Sequence, residues 1–183
     1  NNKIYYEKML QFRENGIIFD KKKFLKKNKY AGYYEQVSTG YNYRMNELSA
    51  ALGISQLKNL KKFIDKRNQI AKKYINELKN LPIQLQKIEK YNLSSYHIMI
   101  VKFDLNKLKF NYKQIFNKFR KNRIFVNLHY SALHLNPYFN SLGFKKKQFS
   151  NSEDYSNSSL SVPNYYDLKK SDFNKVIKII KSI

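Results

Sequence analysis

An amide and an imidazole two residues apart, Asn127 and His129, are the most chemically pointed pair in this chain. Residues 124–130 alternate in polarity. A strand of that period turns Ile124, Val126, Leu128 and Tyr130 one way and Phe125, Asn127 and His129 the other, so both polar groups share a face at the strand's C-terminal end, where ligands often bind. Satisfying neighbouring loop backbone would employ the same two side chains. His97 lies in an apolar stretch, as a hydrogen-bonded core or interface residue does, and His134 follows a turn and could line the same site as His129. A second pair stands in residues 40–57, where Gly40 leads through an aromatic stretch to a helix cap at Asn46. Asn42 and Arg44 are thereby held at the mouth of a helix, a place suited to recognition.

Other chemistries find no residues here. With no cysteine there are no disulfides, thiolate nucleophiles or thiolate metal sites. No spacing of Asp, Glu and His suggests a metal, no serine is flanked like a nucleophile, and no glycine-rich loop is built for phosphate. The residues alone thus offer no candidate metal ligands and no activated nucleophile.

Lys and Arg outnumber Asp and Glu 36 to 13, for a formal charge of +23 and an isoelectric point near 9.9. Such an excess invites a nucleic-acid-binding reading, since clustered cations release counterions from phosphates. The lysines, however, are spread through every segment beside abundant Asn, Ile, Tyr and Phe, and no nucleic-acid-binding signature accompanies them. The two dense clusters, Lys21, Lys22, Lys23, Lys26 and Lys27, and Lys145, Lys146 and Lys147, read as solvated loops. A basic surface also suits an anionic small molecule such as a nucleotide diphosphate. No apolar run reaches the roughly 18 to 20 residues of a membrane span, and the first residues lack the apolar centre of a signal peptide. The expectation is a cytoplasmic protein with neither membrane nor nucleic acid as partner.

Three blocks carry these residues. Residues 1–45 hold a short helix with Met9, Leu10 and Phe12, stopped by Asn15 and Gly16, then a lysine-rich loop and an irregular aromatic stretch with turns at Gly32 and Gly40. This block has no core of its own and reads as the tail of a larger domain. Residues 46–81 form a long helix that ends before Leu81 and Pro82 and turns one apolar face inward through Leu48, Ala51, Leu52, Ser55, Leu57, Leu60, Ile64, Ile70, Ala71, Tyr74, Ile75 and Leu78. Gly53 within it predicts close packing against another backbone. Residues 82–183 form a small mixed domain, with a strand over 96–103, a helix capped by Asn111 and carrying Ile115, Phe116 and Phe119, and a second strand over 124–130. After these come a short helix opened by Asn136 and Pro137 and closed near Gly143, an apolar run at Leu160, Ser161 and Val162 before Pro163, and a last helix capped by Ser171 with Phe173, Val176, Ile177 and Ile180 inward.

The run Gly40-Tyr41-Asn42-Tyr43-Arg44-Met45, continued by Ala50-Ala51-Leu52-Gly53 and Ser55-Gln56-Leu57, resembles the signature of the DegT and StrS type of pyridoxal-phosphate-dependent sugar-nucleotide aminotransferases. The resemblance continues through Lys66-Arg67, Tyr74, Ser94-Ser95-Tyr96-His97, Asn127-Leu128-His129-Tyr130, Leu133-His134-Leu135-Asn136-Pro137-Tyr138-Phe139, Ser152-Glu153-Asp154-Tyr155 and Leu160-Ser161-Val162-Pro163. Tyr33-Tyr34-Glu35-Gln36, with residues 127–139, is most similar to the members that act in pseudaminic-acid biosynthesis. Asn15 stands where the family usually has histidine, and Tyr166 lies near where it often has proline.

The resemblance implies an α/β chain, the C-terminal part of a fold type I aminotransferase, with a long connecting helix and a small mixed domain, in an enzyme that works as a homodimer. Its cofactor would be pyridoxal 5'-phosphate, held by a lysine of the large domain. In the family that lysine precedes the stretch matched here by Arg13-Glu14-Asn15-Gly16-Ile17, so the resemblance places it upstream of this sequence, leaves this chain's set of catalytic side chains empty and makes the chain alone inactive. The implied reaction moves an amino group from glutamate to the C4 ketone of a UDP-linked 4-keto-6-deoxy sugar. By the same match, Asn42 reaches the neighbouring subunit's cofactor or sugar nucleotide with Arg44 as its electrostatic support. Asn127, Leu128, His129 and Tyr130 line the nucleotide-sugar pocket. Sugar dehydratases share the fold with histidine in place of the cofactor lysine, and they form the alternative within it.

Overall fold

The computed structural model describes residues 2–26 and 30–183, so Lys27 of the first lysine cluster lies outside the described residues. The chain divides into two units, Asn1–Lys58 and Asn59–Ile183.

In the first unit, α1 (Lys3–Arg13) opens where the Asn2 side chain accepts from the backbone N–H of Ile4, at 2.9 Å, and of Tyr5. It ends where Asn15 and Gly16 both take positive φ, 58° and 75°, the left-handed step that closes many helices. The strands β1 (Ile17–Ile18) and β2 (Glu35–Gln36) then pair antiparallel, Ile17 opposite Gln36 and Ile18 opposite Glu35. Residues 37–43 lie on the end of α1 through backbone bonds alone. Tyr41 donates to Phe12 O at 2.6 Å, Tyr43 to Arg13 O at 3.1 Å and Val37 to Gly16 O at 2.9 Å, while Asn15 donates to Tyr41 O at 2.9 Å. Two glycines make this approach possible. A Cβ on Gly16 would stand 1.9 Å from Ser38 O, and one on Gly40 would stand 2.3 Å from Gly16 N.

The helix α2 (Glu47–Leu78) begins where Asn46 Oδ1 accepts from Ser49 N at 2.8 Å, as its sequence predicts. Its apolar stripe is buried only in the second half, at Ile70, Ala71, Tyr74 and Leu78. Contrary to the expected continuous inward face, Leu48, Leu52, Leu57 and Leu60 are exposed, Leu48 to 86%. No atom lies within 4 Å of a Cβ built on Gly53, so the expected close packing there is absent among the described residues. Helical periodicity reports amphipathicity, not what covers the apolar side.

The second unit continues with β3 (Ile83–Leu85), β4 (Met99–Phe103), α3 (Tyr112–Lys121), α4 (Pro137–Ser141), α5 (Ser150–Ser158), β5 (Ser159–Val162) and α6 (Lys170–Ile180). The three strands form one antiparallel sheet in the order β3-β4-β5, with Met99 opposite Val162 and Val101 opposite both Leu85 and Leu160. Val101, Leu160, Ile115, Phe119, Tyr74, Leu78 and Val176 are among the residues that build the core. Enclosing each large apolar side chain contributes about 1.5 to 3 kcal/mol. No described helix is long and apolar enough to cross a membrane.

Several expectations for this unit need correction. The first strand begins at Met99, and His97 is exposed outside it rather than within a core. Residues 124–130 form no strand and pair with the sheet's ladder only at one isolated bridge, Asn127 to Ser161, so the expected strand-helix-strand unit is replaced by a sheet whose third strand is β5. The burial alternation holds at Ile124 and Val126, both enclosed, and at exposed Phe125 and Asn127, yet no neighbouring strand extends the ladder. Ser171 lies inside α6, whose N-cap is Lys169 without a side-chain bond. The serine-rich stretch is the helix α5.

Replacing Gly40 by alanine forces a methyl group against the backbone of Asn15 and Gly16 just past α1, an overpacking that costs about 1 to 3 kcal/mol. Hydrogen exchange should show the amides of Asn15, Tyr41 and Tyr43 losing protection in Gly40→Ala. Unchanged protection would mean that the backbone docking does not hold this loop.

Candidate functional site

The expected site residues fall into two clusters, one in each unit. In the first unit, Asn42 pairs with Glu14 in an isolated antiparallel bridge, so its position follows from the docking of residues 37–43 on α1. The Asn42 side chain is exposed, and it takes no hydrogen bond among the described residues. Arg44 Nε lies 3.2 Å from Glu14 Oε2, and Arg13 Nη2 lies 3.0 Å from the other oxygen of that carboxylate. Two guanidinium groups thus share one carboxylate beside Asn42. Pairs this exposed stabilise by about 0.2 to 1 kcal/mol each, so Arg44 braces the loop more than it holds the fold.

In the second unit, residues 127–134 are a loop clamped from two sides. On the β5 side, Ser161 N donates to Asn127 O at 2.8 Å, Ser161 Oγ donates to the same oxygen at 3.1 Å, and His129 Nδ1 lies 2.9 Å from Ser161 Oγ. From the α5 side the Tyr155 hydroxyl donates to His129 O at 2.9 Å, and Ser156 Oγ accepts from Ala132 N at 3.1 Å. Arg120 Nη2 reaches Val126 O at 3.0 Å, its guanidinium lying 5.0 Å from the centres of the Phe116 and Phe125 rings. The backbone of Asn127, His129 and Ala132 is thereby anchored to β5 and α5. Turned outward are Asn127, Tyr130, whose ring meets that of His129 edge-on at 4.9 Å, and Leu133. Leu128 and His129 are half-buried.

Asn127 and His129 therefore come together at Ser161, with Tyr130 against the His129 ring and His134 at the loop's far end doing different work. His134 is buried with its Nε2 2.9 Å from Glu153 Oε1, and Lys147 N donates to that oxygen at 2.6 Å. Sequence reasoning missed the partners Ser161, Tyr155, Ser156 and Glu153. For Glu153, Tyr155 and Ser161 the only advance signal was their place in the matched runs 152–155 and 160–163, which name residues but not contacts; Ser156 had none.

A cavity of about 600 Å³ opens between Pro82, Lys102, Asp104 and Asp154, but none of residues 127–134 lines it. Its charges are already matched, Lys102 to Asp154 at 2.5 Å and Lys107 to Asp104 at 3.0 Å. It offers a ligand less than the outward groups of the 127–134 loop do. No group of three described His, Asp or Glu residues is placed to hold a metal ion.

The hydrogen bond from His134 holds the Glu153 carboxyl below its usual value of 4.5; burial opposes the shift, and the Lys147 N–H reinforces it. A carboxyl lowered by folding stabilises the protein above its unfolded value and loses that contribution as pH falls through the folded one. Denaturation midpoints followed from neutral pH to below 4.5 should therefore fall less steeply in Glu153→Gln than in the wild type. Parallel curves would show that the pair does not link this loop to acid stability.

The family profile of the DegT/DnrJ/EryC1/StrS aminotransferases matches residues 1–181. An uncharacterized protein of Methanocaldococcus jannaschii, MJ1066, is 31% identical over 153 residues, which are 82% of this chain and 40% of that protein. Among solved structures, Helicobacter pylori PseC, an aminotransferase involved in the biosynthesis of pseudoaminic acid, matches with a TM-score of 0.82 and 24% identity over 100% of this chain and 46% of its own. The PLP form of the putative sugar aminotransferase Spr1654 of Streptococcus pneumoniae matches with a TM-score of 0.81 and 18% identity over 98% and 43%. These structural matches establish the mixed helix-and-sheet fold, and the chain spans less than half the length of each protein named. By the match of residues 1–181, the chain belongs to the DegT/DnrJ/EryC1/StrS aminotransferase family.

Proposed function

We propose that this chain is the C-terminal portion, with the connecting helix and small domain, of a pyridoxal-phosphate-dependent sugar-nucleotide aminotransferase. In this reading the whole enzyme is a homodimer that moves an amino group from glutamate to the C4 ketone of a UDP-linked 4-keto-6-deoxy sugar, leaving 2-oxoglutarate. The family match over residues 1–181 carries the reading. The geometry supports it through a loop, 127–134, whose backbone is anchored at Asn127, His129 and Ala132 while the Asn127 and Tyr130 side chains remain exposed.

The residues present fit the margin of the cofactor. Asn42 offers an exposed amide able to donate to, or accept from, its hydroxyl and phosphate oxygens. No described lysine is buried, whereas a lysine that bonds a carbonyl covalently is activated by desolvation or a neighbouring cation. In this reading the described residues supply contacts to the cofactor, and its anchoring lysine belongs to the large domain. Pyridoxal phosphate, when bound, supplies the electron sink and the carbonyl that carries the amino group between substrates. Asn42 would orient the cofactor or sugar nucleotide of the neighbouring subunit, with Arg44 and Glu14 fixing its loop. Asn127, Leu128, His129 and Tyr130 would orient the sugar and its nucleotide, short polar groups meeting hydroxyls while Tyr130 and Leu128 exclude water. The basic surface favours approach of the diphosphate.

The test is made on the full-length protein with pyridoxal phosphate, glutamate and the 4-keto sugar nucleotide, following 2-oxoglutarate and the amino sugar. Asn42→Ala and His129→Ala should each lower the rate about ten- to a hundredfold while the protein stays folded. If the two residues serve different composite sites of the dimer, mixing the inactive variants with subunit exchange restores activity. Near-normal kinetics in both would make them structural residues, and a dehydrated sugar formed without glutamate would overturn the aminotransferase reading.

A further inference from the structure

We propose that Ser161 is a positioning residue that holds His129 as its Nδ1–H tautomer, so that Nε2 meets the ligand as a hydrogen-bond acceptor. The inference rests on His129 being a nucleotide-sugar contact, as argued above. Ser161 Oγ touches two groups at once, Asn127 O at 3.1 Å and His129 Nδ1 at 2.9 Å. A hydroxyl has one proton to give and lone pairs to receive with. A carbonyl only accepts, so the serine proton goes to Asn127 O and the imidazole must donate from Nδ1. The opposite assignment would leave two oxygens facing each other at 3.1 Å with no proton between them.

The surroundings hold this arrangement in place. Ser161 is buried in β5, with its own N–H on the same Asn127 oxygen at 2.8 Å. The carbonyl of His129 is held by Tyr155, and the Tyr130 ring lies edge-on at 4.9 Å, so neither the backbone nor the ring turns freely. Nε2 takes no hydrogen bond among the described residues. In the neutral ring it carries a lone pair, and which nitrogen does so is set by the bond the other makes. His129 is then a reader of hydroxyl or N–H groups on the sugar nucleotide, and as a neutral ring it gives nothing to phosphate oxygens. Two residues 32 apart in sequence thereby define one recognition element, and Ser161 acts without touching the ligand.

Long-range proton-nitrogen spectra of the full-length protein, labelled at histidine and recorded well above the ordinary imidazole pKa of about 6.5, read the tautomer directly. The signals absent from His129→Gln identify the ring. The wild type should show a pyrrole-type Nδ1 and a pyridine-type Nε2. Ser161→Ala should move the ring toward the Nε2–H form, and Ser161→Thr, which keeps the hydroxyl, should preserve the wild-type pattern. UDP-N-acetylglucosamine, used as the probe, should shift the Nε2 resonance of the wild type, and its affinity should fall about tenfold in Ser161→Ala. An Nε2–H ring in the wild type overturns the proposal even if Ser161→Ala fails to fold. So does a tautomer that Ser161→Ala leaves unchanged, or a probe that binds without moving Nε2. If the wild type binds no UDP-linked sugar, the functional reading falls and takes the ligand contact with it. An Nε2–H ring in a protein that binds the probe removes the role of Ser161 alone.

Discussion

One enclosed phenol sets the frame of the second unit. Tyr74 is completely buried, and its hydroxyl donates to Pro163 O at 2.9 Å across 89 residues of sequence, while its ring packs 4.6 Å from that of Phe173. A buried hydroxyl left without a partner would cost about 1 to 3 kcal/mol, so the chain must bring Pro163 to this point and end β5 there. Burial pushes the Tyr74 hydroxyl pKa up, keeping it a proton donor wherever the protein is folded. With β5 fixed, Ser161 is fixed, and with Ser161 comes the loop of His129. The order of dependence thus runs from an apolar helix face to a polar strand residue and only then to the outward groups of residues 127–134.

The first unit is held in a different way. Gly16 and Glu35 alone are buried among its described residues up to Tyr43, the Glu35 carboxylate accepting from Leu25 N and Lys26 N, and residues 37–43 are ordered by main-chain bonds that two missing side chains make possible. Gly16 and Gly40 let residues 37–43 lie against α1 at a separation no other residue type allows. Asn42 is aimed by backbone geometry, whereas His129 is aimed by side-chain contacts. The two clusters answer differently to mutation for that reason: the first is sensitive to added volume and the second to lost hydrogen bonds.

Local signals were legible in the sequence, and non-local ones were not. Asn46 and Asn111 cap helices where their positions indicate, the second with a full capping box to Gln114, because a cap needs only the next three residues. Pro137 at the start of α4 and Gly143, with φ of 97°, just after its end are equally local. β3 escaped notice because it is short and defined by its pairing with β4, and α5 because its polar composition masks the burial of Glu153, Ser156 and Ser158. Residues 124–130 carry the burial alternation of a strand without a neighbour to make one. The matched motifs drew attention to the loop of His129, yet Ser161, which holds that loop, is distinguished only in three dimensions.

The division of labour within residues 127–134 bears on how such a protein changes over evolutionary time. The groups that hold the loop are main-chain atoms and the buried side chains of Ser161, Ser156 and Glu153, while Tyr130 and Leu133 point outward, 70% and 60% exposed, and carry none of these bonds. Drift at the outward positions leaves the scaffold's stability nearly untouched, since exposed substitutions away from such bonds usually change it by less than about 0.5 kcal/mol. The outward chemistry can therefore diverge among descendants by single replacements on a loop whose course stays inherited.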